Sequence, residues 1–434
     1  MGVFSPARRS RRVSLLVATV SLLAGMLALS GTAAAKAASV SVSSSISGST
    51  ATIEVTVAHK PKASIATCSY ELDGSAPNAC GTPSSSAKKS TSYSLSLTNL
   101  DGGIHTLSVS AAFTDGEGAT GITTFEVAPC NVTNQTTAVQ YAGTGPNLQA
   151  AIDAAQSGDT IEIQGLCLGN YVIATATLTL IGTPTNGQSM AELDGNASGS
   201  VLEVGRGAGA TLTDLLITNG NADRGGGIFN LDGVVLLNGS TMVSGNVAGS
   251  GGGIHNQGGF PTVGGLTLDD SSSVTGNIAD SGGGIWNSDT STVVVNDATQ
   301  VNGNMALGCA GIQNLGSVTL NDSSQVNGNV AASVGGGICS LTQVTLNDNA
   351  QVAGNLAGTG TPTGERFGYA GGVLNAGTIT LNDASSITGN TAATVGGGIY
   401  NECIGTIVLN GGSVSGNTPD DVAEQCAPVS LNQS

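Results

Sequence analysis

Residues 282–287 read GGGIWN, in which three glycines precede Trp286, the one tryptophan of the chain. A glycine-rich loop can cradle a phosphate group, but a phosphate loop also needs Lys followed by Ser or Thr at the start of a helix. The sequence contains no lysine after Lys89. The motif recurs as GGGI-x-N or a variant, ending at Asn230, Asn256, Asn287, Asn314, Ser340, Asn375 and Asn401. Glycines that recur in this way are architectural, and they predict a tight corner with positive φ.

The position after the isoleucine of each motif is the second place where chemistry is indicated. Side chains alternate between the two faces of a strand, so Trp286 faces outward if Ile285 faces the core. The same outward slot holds Phe229, His255, Trp286, Gln313, Cys339, Leu374 and Tyr400 in successive motifs. An outward stripe of rings is suited to stacking against sugar faces. We therefore predict ligand binding at Phe229, His255, Trp286 and Tyr400, with the alternative that an inserted loop covers these rings.

A row of aspartates forms the third candidate site. Each follows a short apolar strand, and the equivalent positions are Asp270, Asp297, Asp322, Asp348 and Asp383. If successive repeats stack about 4.8 Å apart, adjacent carboxylates repel by roughly 0.9 kcal/mol in water. Bonds from the carboxylates to turn amides relieve this repulsion, and so does a Ca²⁺ ion bound between repeats. We expect the turn role, with structural Ca²⁺ as the alternative.

These candidate sites all lie on one internal repeat. The dipeptide Gly-Asn recurs with its Asn at 196, 221, 246, 277, 304, 329, 355, 390 and 417, most often about 26 residues apart. Each repeat holds three strand signals: one after the glycines, one before Asn-Asp and one before Gly-Asn. Stacked repeats form a continuous core, and their Asn side chains are expected to form ladders along the axis. Two longer spacings locate insertions at 257–265 and 358–370, which we expect to be loops on one face.

The segment before the repeats predicts how the stack begins. Residues 147–155, NLQAAIDAA, have apolar residues at helical spacing, and the segments SGDTIEI and ATLTLIG after them read as strands. This order resembles the N-terminal cap of right-handed parallel β-helix proteins of the pectin-lyase-like type. The landmarks over residues 218–417 resemble the GGAI and FxxN repeats of the polymorphic outer-membrane protein families. Here Val, Met or Ile mostly replaces the phenylalanine of FxxN.

Residues 39–128 differ from the repeats, because TATIEVTV, SYSLSLTNL and HTLSVSAAF alternate polar and apolar residues as half-buried strands do. Several such strands in a segment of this length predict a small β-sandwich. The segment CSYELDGSAPNAC and the later pattern L-x-DG-x-HT-x-x-V resemble bacterial immunoglobulin-like modules, which implies a spacer or a binding module. His105 in this pattern is expected to pack beside a turn and not to act in catalysis.

The N-terminus is typical of a secretory signal peptide, with a basic stretch at Arg8–Arg12, an apolar run at Val13–Leu29 and small residues after it. We therefore divide the all-β chain into a signal peptide (1–38), an immunoglobulin-like sandwich (39–128), a right-handed three-sheet parallel β-helix (129–426) and a tail (427–434). The β-helix comprises a cap at 129–182 and repeats at about 183–417.

The net charge and the distribution of apolar residues limit the classes of function that the chain can have. The formal net charge is −17, and the chain without its signal peptide keeps 7 basic against 29 acidic residues. Such a chain has no basic face for nucleic acid, and no later apolar run is long enough to span a membrane.

All eight cysteines follow the signal peptide, and export places them where disulfides form. Although spacing alone does not determine connectivity, clustering predicts three local pairs, which are Cys68–Cys80, Cys130–Cys167 and Cys403–Cys426. Aligning Ile312 with Ile338 puts Cys309 over Gly335, roughly 13 Å along a strand from Cys339. That distance is too long for a disulfide, so we expect one or both of these cysteines to be free unless a bulge shifts the coil.

These patterns predict a secreted, extracellular or cell-surface protein with a binding or structural role, as an adhesin or a stalk. Its expected partners are extracellular glycans or surface proteins, and no cofactor is expected apart from the alternative Ca²⁺. The other function class is an extracellular carbohydrate-active enzyme, a polysaccharide lyase or a glycoside hydrolase, as the pectin-lyase-like resemblance implies. The repeats contain only Arg206, Arg224, Arg366 and His255 as basic groups. Their one acidic pair, Asp269–Asp270, belongs to a turn, so we predict no catalytic residue.

Overall fold

The computed structural model describes residues 38–426 with gaps at 48–49, 61–62, 99, 101–102, 128–129, 142–146, 186–188, 260–263 and 361–366, and it also describes 432–433. The predicted signal peptide, except its last residue, and most of the predicted tail lie outside the described residues. Nearly every described element is a strand. No helix in the described part of the chain is long and apolar enough to cross a membrane.

The first eight strands form the predicted sandwich. They are β1 (Ser39–Ser47), β2 (Thr50–Ala58), β3 (Ile65–Leu72), β4 (Asn78–Ala79), β5 (Ser85–Ala87), β6 (Ser90–Leu97), β7 (Gly103–Phe113) and β8 (Gly118–Val127). Two antiparallel sheets, ordered β1-β2-β6-β5 and β4-β3-β7-β8, bury one common core. His105 Nδ1 lies 2.7 Å from Asp73 Oδ2, and its ring stacks on Phe125. His105 therefore packs beside a turn, as predicted.

A cap closes the start of the coil. Strands β9 (Asn131–Asn134) and β10 (Val139–Tyr141) precede α1 (Asn147–Ala154), whose predicted apolar face is buried at Leu148, Ala151 and Ile152. The Cys130–Cys167 disulfide joins the cap to the first coil, with a Cα–Cα distance of 4.6 Å. Leu166 packs with the core of the sandwich, so this residue is a point of contact between the two domains.

The first coils contain β11 (Thr160–Gln164), β12 (Leu166–Leu168), β13 (Tyr171–Ile173), β14 (Thr177–Thr183), β15 (Ala191–Asp194), β16 (Leu202–Val204), β17 (Gly209–Thr213), β18 (Leu215–Thr218), β19 (Asn221–Arg224), β20 (Ile228–Leu231), β21 (Val234–Asn238), β22 (Met242–Ser244), β23 (Val247–Ser250), β24 (Ile254–Gln257), β25 (Gly264–Leu268), β26 (Ser273–Thr275), β27 (Ile278–Ser281), β28 (Ile285–Asn287) and β29 (Ser291–Val295). The later coils contain β30 (Gln300–Asn302), β31 (Met305–Gly308), β32 (Ile312–Asn314), β33 (Ser317–Leu320), β34 (Gln325–Asn327), β35 (Val330–Ala331), β36 (Ile338–Ser340), β37 (Gln343–Leu346), β38 (Gln351–Ala353), β39 (Leu356–Ala357), β40 (Val373–Asn375), β41 (Thr378–Asn382), β42 (Ser386–Thr388), β43 (Thr391–Ala392), β44 (Ile399–Asn401), β45 (Thr406–Asn410), β46 (Ser413–Ser415), β47 (Val422–Glu424) and β48 (Asn432–Gln433).

These strands build the right-handed parallel β-helix that the sequence predicts. Sheets of 13, 10 and 10 strands occupy the three predicted positions, and consecutive coils are neighbours in each sheet. The pairing of Ile285 with Ile312, and of Ile312 with Ile338, follows the predicted register. A fourth, seven-stranded sheet runs from β19 to β43 between the Gly-Asn and GGG corners. Its buried positions are mainly alanines, so it lacks the larger apolar side chains that mark a strand in a sequence.

Two ladders of buried asparagine amides run along the coil, as predicted. In the first, each Nδ2 donates to the Oδ1 of the next coil over 2.9–3.0 Å, through Asn246, Asn277, Asn304, Asn329, Asn355, Asn390 and Asn417. The second joins Asn230, Asn256, Asn287, Asn314 and Ser340, and then Asn375 and Asn401. Asn196 and Asn221 do not join the first ladder, which begins where the Gly220 amide donates to Asn246.

The GGG motif forms a tight corner, as its repetition predicts. Gly282 has a φ of 63°, which side chains disfavour. A Cβ on Gly284 would lie 2.7 Å from the carbonyl oxygen of Gly311 in the next coil. Both positions therefore require glycine for the stacking of backbones, which agrees with an architectural role.

Four disulfides are present, and no free cysteine occurs among the described residues. The three predicted pairs are confirmed. The prediction for the other two cysteines is wrong, because Cys309 and Cys339 are bonded, with Cα atoms 5.5 Å apart. The predicted register is correct, but the chain between Gly335 and Cys339 is not extended. It turns at Gly335, whose φ is 68°, and this corner brings Cys339 back to Cys309.

We expect the Cys309–Cys339 bond to be detectable in a thiol assay and in the stability of the protein. Native protein should show no free thiol in a colorimetric thiol assay, whereas two or more thiols would contradict the pairing. Replacing both residues with Ala should lower the free energy of unfolding in urea by about 3 kcal/mol, the usual size for a loop of this length. The Cys68→Ala/Cys80→Ala variant is the control for the loss of a disulfide as such. It removes one disulfide from the sandwich and leaves the coil intact.

Candidate functional site

The outward slot after the glycines forms a continuous column on the coil. Cross-strand pairing joins its members in the predicted order, which is Phe229, His255, Trp286, Gln313, Cys339, Leu374 and Tyr400. Burial differs along the column. Phe229, Trp286 and Gln313 are half-buried, whereas His255, Cys339, Leu374 and Tyr400 are 2%, 3%, 7% and 6% exposed. The surface that the column offers to a ligand is therefore confined to its first part, where only His255 is buried.

Three rings form a stack in the open part. The His255 and Trp286 rings lie 4.2 Å apart and nearly parallel, at 13°. Phe229 meets the histidine edge-on, at 5.6 Å and 71°. His255 is only 2% exposed, so it positions Trp286 and presents little surface itself. Offset-parallel and edge-on contacts of this kind stabilise aromatic pairs, and they hold the indole in one orientation.

The histidine in this stack is neutral at neutral pH. Burial lowers the pKa of His255 to about 4, a hydrogen bond with Ser250 raises it, and the nearby positive charge of Arg224 lowers it. Ser250 Oγ lies 3.0 Å from Nδ1, while Nε2 is buried without a hydrogen-bond partner among the described residues. A neutral imidazole fits an aromatic stack, but its pKa is too low for a proton-transfer group near neutral pH.

A surface cleft of about 430 Å³ lies over the stack. That volume is within the usual range for small-ligand sites, roughly 300–1,000 Å³. The Arg224 Nη1 donates to Gln257 Oε1 over 3.1 Å, which links the two rims of the cleft. The lining residues are Arg224, Ser250, His255, Gln257, Gly258, Trp286, Ser288 and Asp289. The cleft thus combines one exposed ring face with a cation, a carboxylate, hydroxyls and an amide.

The first predicted insertion borders this cleft. Gln257 and Gly258, at its start, line the cleft, while Phe260 lies outside the described residues. Arg206 follows β16, and its Nη2 lies 2.6 Å from the buried carboxylate of Asp232, which follows β20. Both arginines described in the coil, together with its histidine and tryptophan, therefore lie in or next to neighbouring strands of one sheet.

Tyr400 does not lie in the cleft. It packs against Tyr369 of the second insertion, with ring centroids 4.9 Å apart. Its hydrophobic cluster also contains Leu374 and the Cys309–Cys339 disulfide. The predicted binding role of Tyr400 has no support in these contacts, because an inserted segment covers the ring, as the alternative interpretation expected. Phe229 touches His255 but is not among the residues that line the cleft.

The predicted aspartate row is an ordered ladder at the turns. The carboxylate of Asp297 accepts the amide of Asp270 in the preceding coil over 3.0 Å, and Asp322 accepts that of Asp297 over 3.1 Å. Contacts of 3.4 and 3.5 Å continue the row to Asp348 and Asp383. All five residues have φ values of 54–59°, a conformation that Asp tolerates. An N–H group thus lies between successive charges, which offsets their repulsion.

The aspartate ladder leads to a prediction about the effect of Ca²⁺ on stability. No group of three or more His, Cys, Asp or Glu side chains among the described residues is arranged to hold a metal ion. Because the carboxylates already accept backbone amides, we expect the melting temperature to be the same in millimolar Ca²⁺ and in a chelator. A melting temperature that is higher in Ca²⁺, with no such increase in an Asp297→Asn/Asp322→Asn variant, would instead establish the calcium alternative.

The cleft has the composition of a binding site. Glycosidases typically use two carboxyl groups on either side of the scissile bond, and Asp289 is the one carboxylate that lines this cleft. The ring face of Trp286 offers apolar contact, and the surrounding polar groups offer hydrogen bonds. This combination is complementary to a ligand with an apolar face and polar edges.

Arg224 is a functional candidate that the sequence interpretation noted only as one of three arginines. The strand register of Arg224 does contain a sequence signal that sets this residue apart. The column through Arg224 continues with Ser250, Ser281 and Gly308. A charged residue that replaces small ones at a single coil interrupts the repeat, and it lines the same cleft as Trp286. Asp289 has no comparable signal in the sequence.

Comparison with known proteins agrees with the repeat. The sequence profile of the Chlamydia polymorphic membrane protein repeat matches residues 384–402, which include the last GGGI-x-N motif. Among solved structures, the chain is similar to a Yersinia enterocolitica family 28 exopolygalacturonase, with 10% identity and a TM-score of 0.25 over 89% of this chain and 97% of that one. This likeness is too low to carry a functional argument. No curated protein matches the sequence at the significance we required.

Proposed function

We propose that this chain is an extracellular or cell-surface carbohydrate-binding protein, in which the β-helix presents the cleft and the sandwich serves as a spacer. The observation that carries the proposal is the half-buried Trp286, stacked on His255 at 4.2 Å in a cleft of about 430 Å³. Sugar rings have apolar faces and hydroxyl edges. A fixed indole surrounded by Arg224, Gln257, Ser288 and Asp289 complements both.

The location is supported by four disulfides, since such bonds persist in oxidising surroundings. It is also supported by the match of one repeat to a polymorphic membrane protein of Chlamydia. A long coil that presents one site fits an adhesin-like or stalk-like protein better than an enzyme, because the cleft offers a single carboxylate. The immunoglobulin-like character of the sandwich remains a prediction.

The proposal is tested by the binding of the chain without its predicted signal peptide to a panel of immobilised neutral and acidic glycans. We expect retention on a subset of these glycans with no release of reducing or unsaturated ends. Retention by none of them, with folded protein, would refute carbohydrate binding. Cleavage that depends on Asp289 would establish the enzyme alternative instead.

A further inference from the structure

The unpaired arginine of the cleft indicates the class of sugar that the cleft takes, if the proposed function holds. We propose that the cleft binds sugars that carry a negative charge, as a carboxylate, sulfate or phosphate group, and that Arg224 recognises this charge. The inference begins from the position of the arginine in the coil. Equivalent positions in the next three coils hold Ser250, Ser281 and Gly308, so stacking of the coil does not require a long side chain there.

Arg224 has no ionic partner among the residues that the structure describes. Its guanidinium donates to the neutral amide oxygen of Gln257, and no described carboxylate oxygen lies within 4.0 Å of its nitrogens. By contrast, Arg206 pairs with Asp232 at 2.6 Å, and Lys60 pairs with Glu117 at 2.6 Å. The carboxylate of Asp289 also lines the cleft, but it is not within ion-pair distance of Arg224. A cation in a ligand cleft whose charge no described carboxylate offsets indicates that the ligand supplies the negative charge.

The chemistry of the side chain fits this role. A guanidinium presents several N–H donors in a plane and binds carboxylate or phosphate groups through two parallel hydrogen bonds. The bond to Gln257 occupies Nη1 and holds the guanidinium at the rim of the cleft. The other donors remain available in the cleft that the Trp286 ring also lines. A sugar stacked on this ring can therefore place an acidic substituent against Arg224.

Asp289 limits where this substituent lies. Its exposed carboxylate also lines the cleft, and it forms no ion pair with Arg224. A negative group near Asp289 would be repelled, so the acidic substituent belongs on the Arg224 side and sugar hydroxyls on the Asp289 side. Acidic residues outnumber basic ones by 29 to 7 in the chain without its predicted signal peptide, so the surface as a whole repels anionic polymers. Retention of an anionic sugar in the cleft is therefore expected to depend on Arg224, the one cation that lines it.

The first experiment compares oligosaccharides of one backbone in neutral and in sulfated or carboxylated form, by titration against the full mature chain. We expect the charged form to bind at least about tenfold more tightly, which is the usual effect of a charge-assisted hydrogen bond. The Arg224→Gln variant should lose this preference, and Arg224→Lys should retain part of it. Equal binding of both forms, or an unchanged preference in Arg224→Gln, would overturn the inference while leaving carbohydrate binding intact.

The second experiment requires no sugar. Because Trp286 is the only tryptophan, iodide and caesium quenching of its fluorescence report the local charge. With each quenching constant divided by that of free N-acetyltryptophanamide, we expect iodide to quench Trp286 about twofold or more better than caesium, from the Coulomb attraction of one nearby charge, and Arg224→Gln to reverse this order. Better normalised quenching by caesium in the unmodified protein would overturn the inference. If no sugar binds although iodide quenches better, the carbohydrate proposal fails and the anion preference stands.

Discussion

Replacing Trp286 with alanine is expected to weaken binding of the retained glycan by at least about 30-fold, corresponding to a loss of about 2 kcal/mol that is typical of a dominant aromatic contact. The indole is the exposed ring of the stack, and removing it leaves His255, which is 2% exposed, as the floor of the cleft. The variant should remain folded, because the ring is half-buried and its stacking contributes only about 1 kcal/mol. Calorimetric titration measures the first effect, and thermal melting measures the second.

Gln313→Ala and Tyr400→Ala are the matched controls. Gln313 occupies the same slot one coil later, outside the cleft, so its loss should change neither binding nor stability appreciably. Tyr400 is buried in the cluster of the second insertion, so its loss should lower the melting temperature and leave affinity unchanged. Equal losses of affinity in Trp286→Ala and Tyr400→Ala would show that the whole column binds the ligand and not the cleft alone.

Replacing Asn304 with alanine is expected to lower the free energy of unfolding by about 3–5 kcal/mol. The Asn304 side chain donates to Val274 O and Asn329 Oδ1, and it accepts the backbone and side-chain N–H groups of Asn277. Alanine leaves buried partners without a hydrogen bond, each at a cost of about 1–3 kcal/mol. Because a solenoid is stabilised by contacts between neighbouring coils, hydrogen exchange should accelerate most in residues 272–333.

The control is Asn302→Ala in the same coil. Asn302 is half-buried on the outer face and donates to Gln300 Oε1 over 2.6 Å, so its loss should cost less than about 0.5 kcal/mol, as for ordinary surface changes. Urea unfolding followed by circular dichroism compares both variants. Similar midpoints for Asn304→Ala and Asn302→Ala would contradict a stabilising role for the amide ladder.

The repeat made much of this fold predictable from the sequence. The landmarks recur once per coil, so aligning Ile285, Ile312 and Ile338 placed the coils in the register that the strand pairs show. The same alignment identified the outward column and the Asn ladders. Three of the four disulfides were predicted from local clustering. Each of these inferences depends only on what repeats or on residues close in sequence.

Features that depend on the path between strands were not predictable. The Cys309–Cys339 bond does not follow from the sequence because the predicted separation assumes an extended strand from Gly335 to Cys339. The chain instead turns at Gly335, which brings the two cysteines together. The fourth sheet was missed because alanines such as Ala279 fill its buried positions. The cleft is lined by Arg224 from one coil and by Trp286 and Asp289 from a later coil, and no period in the sequence connects those three residues.

The most direct test of the account is a fluorescence titration of the single tryptophan with a glycan that the panel retains. Trp286 lies in the cleft, so selective excitation reports only that site. We predict a saturable change in emission whose midpoint matches the calorimetric affinity, with the midpoint shifted by Arg224→Gln and unaffected by Tyr400→Ala. Binding that saturates by calorimetry with no change in Trp286 emission would place the ligand elsewhere and contradict the account.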